Sequence, residues 1–323
     1  MSLNESLPPL LVPAAELLTC HNRASVALLQ QYFKLPYSHA TALMMALKDR
    51  GAVVEIAGKR HVAPGAEGLA RGNVLEFADL HVQTLIGREN RQGSLMLCGI
   101  NHGESAEDQQ KDQKGEDRRE QFFSFFSDTR VNNFPYRNRI VKLLGLLGHP
   151  LKGDCATAGV FEKSIVQTNW LTTASQNVDD VVVERECIAH PEDFLNTCAR
   201  LEPALIIFFS GQMMDAFNSP QLAPRLEKLF GPAVGNVKWI QKDDLGTRFK
   251  IGIRHRERVT AIALPHPTGA FVSDKYIAAF APELAPLIKH WWTSHSERLE
   301  AAGIRSFGMT PFRASPFDEL EPG

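Results

Sequence analysis

Apolar residues recur at helical spacing in the first fifty residues of the chain. In RASVALLQQYF, Val26, Leu29 and Phe33 are three and four residues apart, which predicts a helix. The stretch YSHATALMMALKDRG predicts a second helix, which Ser38 caps and Gly51 ends. The predicted apolar stripe of this second helix consists of Leu43, Met44 and Leu47.

Two short strand-like pieces follow in AVVEIAGKRHVAP, on either side of an Ala57-Gly58 turn. Two helices and a hairpin in this order are the outline of a winged helix-turn-helix. The glycine-rich stretch at 64–73 predicts a domain boundary. The predicted organisation is a lead-in at 1–18, a winged helix at 19–65, a linker with a helix over 74–87 at 66–92, a larger domain at 93–300 and a tail at 301–323.

Continuous apolar runs alternate with helical patterns in the larger domain. The predicted strands are SLMLCGI (94–100), KSIVQTN (163–169), ALIIFFSG (204–211) and VTAIALP (259–265). The predicted helices lie near 136–147, 191–201, 212–230 and 274–297. Apolar strands separated by helices predict an α/β domain of three layers, α/β/α, with a mostly parallel central sheet.

Composition narrows the class of protein. The 323 residues are 44% hydrophobic and 22% charged, which is typical of a globular protein with a real core. The net charge of −2 excludes a polybasic nucleic-acid binder but not a local basic groove. No apolar run reaches the roughly 18 residues of a membrane span, so no membrane partner is expected. Five cysteines without a C-x-x-C pair favour free thiols in the cytoplasm, at the nucleoid if the protein is bacterial.

Small and polar residues follow each predicted strand. Ligands bind beyond the carboxyl ends of the strands in an open α/β sheet, so these residues form the candidate site. They are Gly99, Asn101, His102 and Gly103 after the first strand, Asn169 at the end of the second, Ser210, Gly211 and Gln212 after the third, and His266, Thr268 and Gly269 after the fourth.

An Asn–Asn–His site contains no strong base and no evident nucleophile. The chain lacks the carboxylate pair of ordinary glycoside hydrolysis and the glycine-rich phosphate loop with its lysine. Such a site suits a dissociative reaction, in which an oriented water and stabilisation of an anionic leaving group suffice. Cleavage of the N-glycosidic bond between a base and its sugar is a reaction of this kind.

Five segments in this order resemble the uracil-DNA glycosylase superfamily over about residues 93–297. GINHG at 99–103 is similar to the GINPG motif of the mismatch-specific members, and HPTG at 266–269 is similar to the HPS motif of the superfamily. IVQTN at 165–169 is similar to the strand that carries the base-reading Asn, and 134–148 and 187–217 are similar to the segments between the motifs. The resemblance implies a base-excising hydrolase that acts on double-stranded DNA with a flipped base.

The resemblance assigns catalytic roles to two residues. Asn101 orients the attacking water, and His266 donates a hydrogen bond to the carbonyl oxygen of the departing base. Asn169 reads the edge of the flipped base, and Phe134 stacks on it, although Phe126 or Tyr136 could take that place.

Other positions line the base or touch DNA in the same comparison. Gly99, His102 and Gly103 belong to the base-binding motif, in which His102 replaces a proline. Thr268 and Gly269 contact DNA, and Phe271 or Ala270 is the wedge that fills the vacated stack. The cysteine spacing does not supply an iron–sulfur cluster, and neither a metal nor an organic cofactor is expected.

The first helices and the hairpin resemble the gamma winged helix of FtsK-type DNA translocases, over about residues 23–53. The resemblance implies contacts with duplex DNA, for which the candidates are Ser38, His39, Lys48, Lys59 and Arg60. The recognition-helix surface lacks the Arg or Asn that makes bidentate base contacts. Phosphate contacts are instead expected from Arg23, Lys34, Lys59 and Arg60.

Two other functions use the same residues. A non-catalytic regulator could sense a base in the pocket while the winged helix binds DNA. A purely architectural protein would fill the space between Asn101 and His266 with bulky side chains. Taken singly, the two Asn residues could be helix caps and His266 a core histidine. The glycosylase hypothesis therefore depends on these side chains lying around one crevice.

Overall fold

The computed structural model describes residues 10–21, 23–49, 52–56, 59–63, 80, 82–84, 86–87, 89–100, 102–103, 135–149, 151, 159–172, 174–175, 180–242, 245, 249–267, 274–302 and 304. The helices in this part of the chain are α1 (Leu11–His21), α2 (Val26–Phe33), α3 (Tyr37–Asp49), α4 (Pro135–Leu146), α5 (Val160–Lys163), α6 (Asp180–Ala189), α7 (Glu192–Leu201), α8 (Gly211–Phe217), α9 (Ala223–Phe230) and α10 (Asp274–Ala301). The strands are β1 (Val53–Ile56), β2 (Lys59–Val62), β3 (Leu95–Gly99), β4 (His102–Gly103), β5 (Ile165–Asn169), β6 (Ala174–Ser175), β7 (Leu205–Phe208), β8 (Ala233–Gln241), β9 (Lys250–Arg256) and β10 (Thr260–Ala263).

The N-terminal elements α1, α2, α3, β1 and β2 share a hydrophobic core of their own. The two predicted helices and the hairpin are present, and β1 pairs with β2 in an antiparallel register. The predicted stripe of α3 is buried, with Leu43, Met44 and Leu47 at most 2% exposed. The opposite side of α3, which includes Ser38, Met45 and Lys48, is exposed.

Helix α1 corrects the predicted lead-in at 1–18. Leu11, Ala14 and Leu18 are buried in the core that α1 shares with α2 and α3. Pro13 lies in the first turn of α1, where a backbone N–H has no partner within the helix, so it does not prevent helix formation. Residues 1–9 lie outside the described residues.

The start of α3 also differs from the prediction. The carbonyl of Pro36 accepts hydrogen bonds from the backbone N–H groups of His39 and Ala40, so Pro36 occupies the N-cap position. Ser38 lies inside the first turn, and its hydroxyl oxygen is 3.4 Å from Nδ1 of His39. Ser38 is therefore not the cap, and Gly51, the predicted stop, lies outside the described residues.

The larger unit is an α/β domain with a mixed six-stranded sheet in the order β5-β3-β7-β10-β9-β8. The four strands predicted from sequence, β3, β5, β7 and β10, are parallel neighbours. Strands β9 and β8 continue the sheet in antiparallel pairings, so only part of the sheet is parallel. Helices α6, α7, α8 and α9 cover one face, while α4 and α10 cover the other, as expected for three layers.

Four segments of the larger unit differ from the predicted elements. The helix predicted over 74–87 is not formed at its described positions. Leu80, Val82 and Thr84 are buried with a two-residue period, and Val82 forms a β-bridge with Thr168, so this segment follows β5 as an extended chain. The helix predicted over 212–230 is two helices, α8 and α9. Helix α6 and the β8–β9 hairpin were not predicted.

Within the described residues, no helix is both long and apolar enough to cross a bilayer.

The cysteines whose side chains the structure describes, Cys98, Cys187 and Cys198, are free and buried. Burial raises the pKa of the Cys187 thiol to about 12 and that of the other two thiols well above their usual range. These thiols are therefore protonated and behave as small apolar side chains of the core. Cys155 lies outside the described residues.

Candidate functional site

The strand order reverses at the centre of the parallel part of the sheet. The chain passes from β3 outward to β5, then returns across β3 to β7 and continues to β10. The reversal therefore lies between β3 and β7, and in open α/β sheets ligands bind outside the carboxyl ends of the strands at such a point. Asn169 ends β5 on one side of this point, and His266 follows β10 on the other.

Asn169 lies directly beside Gly99, its partner in the parallel register of β3 and β5. Its side chain covers the α-carbon of Gly99, since a Cβ atom on that glycine would collide with Oδ1 of Asn169. Asn169 is 9% exposed, so the amide is nearly buried at the edge of the sheet. The sequence hypothesis assigned both residues to base binding, and the structure brings the two together.

The residue after Asn169 holds this strand end in place. The backbone N–H of Trp170 donates to the carbonyl of Gly99 at 2.9 Å. Its fully buried indole stacks on Phe194 with ring centroids 3.9 Å apart, and its Nε1 donates to the carbonyl of Cys187 at 3.0 Å. A rigid aromatic anchor thus fixes the position of the Asn169 amide.

Gly99→Ala tests the close approach of Gly99 and Asn169. We expect the free energy of unfolding to fall by about 1–3 kcal/mol, because the new methyl group displaces a packed amide at a buried strand end. Urea denaturation measures this loss. Gly145→Ala on α4 is the control, because no atom of another described element lies within 4 Å of the corresponding Cβ position. It should leave stability unchanged or raise it by about 0.5–1 kcal/mol. Equal stabilities of the two variants would contradict this packing.

His266 packs against the first turn of α4. Its imidazole lies 5.8 Å from the ring of Tyr136, which also contacts Phe209 edge-on at 5.6 Å. Phe209 directly follows β7, so the shared contact with Tyr136 brings His266 toward the central strands. Tyr136, which the sequence offered only as an alternative to Phe134, is thus a neighbour of the candidate catalytic group.

Arg139 of α4 holds the loop that carries His266. Its guanidinium donates a hydrogen bond to the carbonyl of Pro267. Burial, and the positive charge of Arg139 in addition, lower the pKa of His266 below its ordinary value. The imidazole is therefore neutral at neutral pH, and a neutral imidazole offers one N–H donor and one nitrogen acceptor.

Several predicted site residues lie outside the described residues. They are Asn101, Phe134, Thr268, Gly269 and Phe271, together with the alternatives Phe126 and Ala270. The backbone of His102 and Gly103 is described, and it forms the short strand β4, which pairs in parallel with β6. The structure thus places Gly99, Asn169 and His266 around the reversal point and leaves the roles of the others as predictions.

Comparison with known proteins adds no assignment: the chain matches no protein-family model and no curated protein. The geometry of the site and the resemblance of its motifs therefore carry the functional argument.

The predicted DNA-contacting residues of the N-terminal unit are exposed, apart from the half-buried His39. Ser38 and His39 lie in the first turn of α3, and Lys59 and Arg60 are exposed on β2. Lys48 forms an ion pair with Glu55 of β1, with 2.7 Å between Nζ and Oε2. Because this carboxylate competes with phosphate, Lys48 is a weaker DNA candidate than the sequence indicated.

Two residues near the reversal point, Arg139 and Phe209, were not assigned from sequence. Arg139 and Phe209 contact His266 or its neighbours, but nothing in their spacing along the chain predicts it. Gln212, in the first turn of α8, has a buried Oε1 without a hydrogen-bond partner among the described residues. In that same part of the chain, no three His, Cys, Asp or Glu side chains are grouped so as to hold a metal ion.

Proposed function

We propose that this protein is a DNA glycosylase-like hydrolase that releases uracil or a modified base, flipped out of double-stranded DNA. In this proposal the sheet domain has the uracil-DNA glycosylase fold, and the N-terminal unit is a winged helix that holds the duplex. One observation supports it above the others: Asn169 and His266 stand on opposite sides of the point where the strand order reverses. The motif resemblance assigns these two residues to the reading and the departure of the base.

The chemistry follows from the neutral state of His266. When the bond between C1′ and the base nitrogen breaks, its electron pair stays with the base, and negative charge develops on the base carbonyl oxygen. An N–H donor directed at that oxygen stabilises the charge. Water supplies the oxygen that bonds to C1′, and its proton leaves to the base or to solvent. Asn101 orients that water in the proposal.

The side-chain amide of Asn169 has the chemistry needed to recognise a base. One amide presents an acceptor oxygen and an N–H donor side by side, which matches an edge of a pyrimidine that offers a donor next to an acceptor. Its position at the buried end of β5, fixed by Trp170, leaves little freedom to the amide. A preorganised amide of this kind favours one base over others.

A screen of duplexes tests the proposal. The full chain is incubated with duplexes that each contain uracil, a deaminated purine or another modified base, and released bases are identified by mass spectrometry. Alkaline cleavage of the same duplexes reveals abasic sites. We expect release from at least one duplex and its loss in Asn169→Ala. Tight binding to a modified duplex without release would favour the non-catalytic sensor, and neither binding nor release would contradict both functions.

Glu55→Gln tests the contribution of the N-terminal unit to DNA binding. The substitution removes the carboxylate that pairs with Lys48 and faces Arg60 across the hairpin. We expect duplex affinity to rise roughly two- to fivefold at low salt, as for the release of an exposed ion pair, with a steeper salt dependence. Fluorescence anisotropy with a labelled duplex measures both.

The matched control is Glu192→Gln, which breaks an exposed ion pair with Arg225 in the sheet domain. It should leave DNA affinity unchanged. If both variants raise the affinity equally, the effect comes from net charge alone, and the N-terminal unit is not the DNA-binding surface.

A further inference from the structure

A second concave surface lies at the amino-terminal edge of the sheet, opposite the candidate site. This groove has a volume of about 450 Å³, within the roughly 300–1,000 Å³ of small-molecule sites. It lies between the β9–β10 turn and the last turns of α10. The first residues of β7 and β10, Leu205 and Thr260, lie at its base. No role in the proposed glycosylase reaction involves this end of the sheet.

The groove combines an apolar floor with a positive rim. Its apolar residues are Ala204, Leu205, Val259, Leu287 and Trp291. The positively charged residues of the rim are Arg258 and Arg298, to which His290 adds a polar ring. The third lining arginine, Arg256, is buried, and its guanidinium lies against the ring of Phe217. Glu257 is the carboxylate among the lining residues, and its side chain lies against the backbone of Gly231. The excess of guanidinium groups over carboxylates favours an anionic ligand.

Arg298 is an exposed residue whose guanidinium is held by fixed partners. Its guanidinium donates to the carbonyl of Gln92 and, at 2.8 Å, to Nδ1 of His295. It also lies against Gly93, where a Cβ atom would collide with it and where the backbone has a φ of +63°. Nε2 of His295 lies 2.9 Å from the carbonyl of Glu89. Because Nδ1 accepts from Arg298, Nε2 carries the proton, and the imidazole is neutral.

Arg258 is fixed by backbone carbonyls as well. Its guanidinium donates to the carbonyls of Lys228 and Leu229 at 3.0 and 2.7 Å, at the end of α9. Neither Arg258 nor Arg298 forms an ion pair with a described carboxylate. Glu202 lies near Arg298 but accepts a hydrogen bond from Gln92. Both guanidinium groups are therefore oriented by neutral partners.

We propose that this groove binds a small phosphate ester of nucleotide size. Its phosphate would lie on the guanidinium groups of Arg258 and Arg298, and its apolar part would lie on the apolar floor. Arginine binds phosphate through paired N–H groups in a fixed fork, which suits groups that are already oriented. The same chemistry would accept a free nucleotide or a phosphate of a nucleic-acid strand. The inference is independent of the proposed glycosylase activity, because the two sites lie at opposite edges of the sheet.

Calorimetric titration of the full chain tests this inference, with adenosine 5′-monophosphate, inorganic phosphate, adenosine and a short DNA strand as probes. We expect the nucleotide to bind more tightly than inorganic phosphate, and adenosine without phosphate to bind least. Arg258→Gln should weaken nucleotide binding about tenfold or more, as for loss of a hydrogen bond to a charged group. Competition by the DNA strand would identify nucleic acid as the source of the phosphate, and its failure would identify the free nucleotide.

Ser294→Glu provides a variant that breaks no internal contact of the groove. Ser294 is an exposed lining residue on α10, and a carboxylate there should repel phosphate and also weaken binding about tenfold. Thr293→Glu, at the neighbouring exposed position outside the lining, is the matched control and should bind normally. His266→Ala should also bind normally, which separates this site from the glycosylase site. No nucleotide binding by the wild type, or equal binding by Ser294→Glu and Thr293→Glu, would overturn the inference.

Discussion

Replacing His266 with alanine is expected to lower the rate of base release roughly 10²–10³-fold, the usual cost of losing one donor to a developing oxyanion. The imidazole is the candidate donor at the β10 end, and it is held by packing on Tyr136. The rate constant is measured under single-turnover conditions on the best duplex from the screen. Urea denaturation of the same variant should show a stability close to that of the wild type, because His266 is only half-buried.

His266→Gln separates the donor role from a structural one. The glutamine keeps an N–H donor but does not titrate, so it should recover part of the lost rate. In the wild type, protonation of His266 places a second positive charge beside Arg139, and the rate should fall as the pH drops through the lowered pKa of the imidazole. The glutamine variant should lack this acid limb. An unchanged rate in His266→Ala would remove the imidazole from the mechanism.

Mild acid is expected to destabilise the fold through two buried histidines outside the site. His149 stacks on Phe161 with ring centroids 4.5 Å apart, and His295 lies between Glu89 and Arg298. Burial, with a smaller effect of nearby positive charge, lowers the pKa of each to about 4, from an ordinary value of 6.5. The unfolded chain therefore binds more protons than the folded one between these values, and stability falls as the pH drops through this window.

The expected loss is about 3 kcal/mol for each histidine over the whole window, since one proton changes the stability by about 1.4 kcal/mol per pH unit. The free energy of unfolding, measured by urea denaturation from neutral pH down to pH 4, gives the slope. His295→Gln should reduce the slope of the unfolding free energy against pH by the contribution of about one proton. His149→Gln should reduce it by the same amount independently. If the free energy of unfolding did not change between pH 6.5 and pH 4, both histidines would bind protons equally well in the folded and unfolded chain, which would contradict this prediction.

The sequence predicted the parallel strands because each is a short apolar run with helical patterns around it. Leu95–Gly99, Ile165–Asn169, Leu205–Phe208 and Thr260–Ala263 are buried almost throughout, so the apolar run and the strand coincide. The rule that ligands bind at carboxyl strand ends then identified Gly99, Asn169 and His266 without any knowledge of the strand order. That order was not predictable, because it depends on which strands meet in space.

The remaining elements have weaker local patterns. Strand β8 is an edge strand whose residues are mostly exposed, so AVGNVKWIQ lacks the alternation of a half-buried strand. In α1, the prolines suggested a loose segment, but packing against α2 and α3 favours a helix. Tyr136 and Arg139 approach His266 only because α4 crosses that end of the sheet. Contacts of this kind arise from tertiary packing, which no local pattern along the chain records.

The central position of β3 has a consequence for synthesis of the chain on the ribosome. Its two hydrogen-bonded neighbours, β5 and β7, are encoded far downstream. At about 5–20 residues per second, the apolar segment at 95–99 leaves the ribosome roughly 5–20 s before its second neighbour is complete. A nascent chain that ends before Phe208 thus exposes a hydrophobic strand with an open edge, which favours aggregation. Truncated products of this gene should consequently be insoluble or depend on chaperones, whereas full-length chains close both edges of the strand.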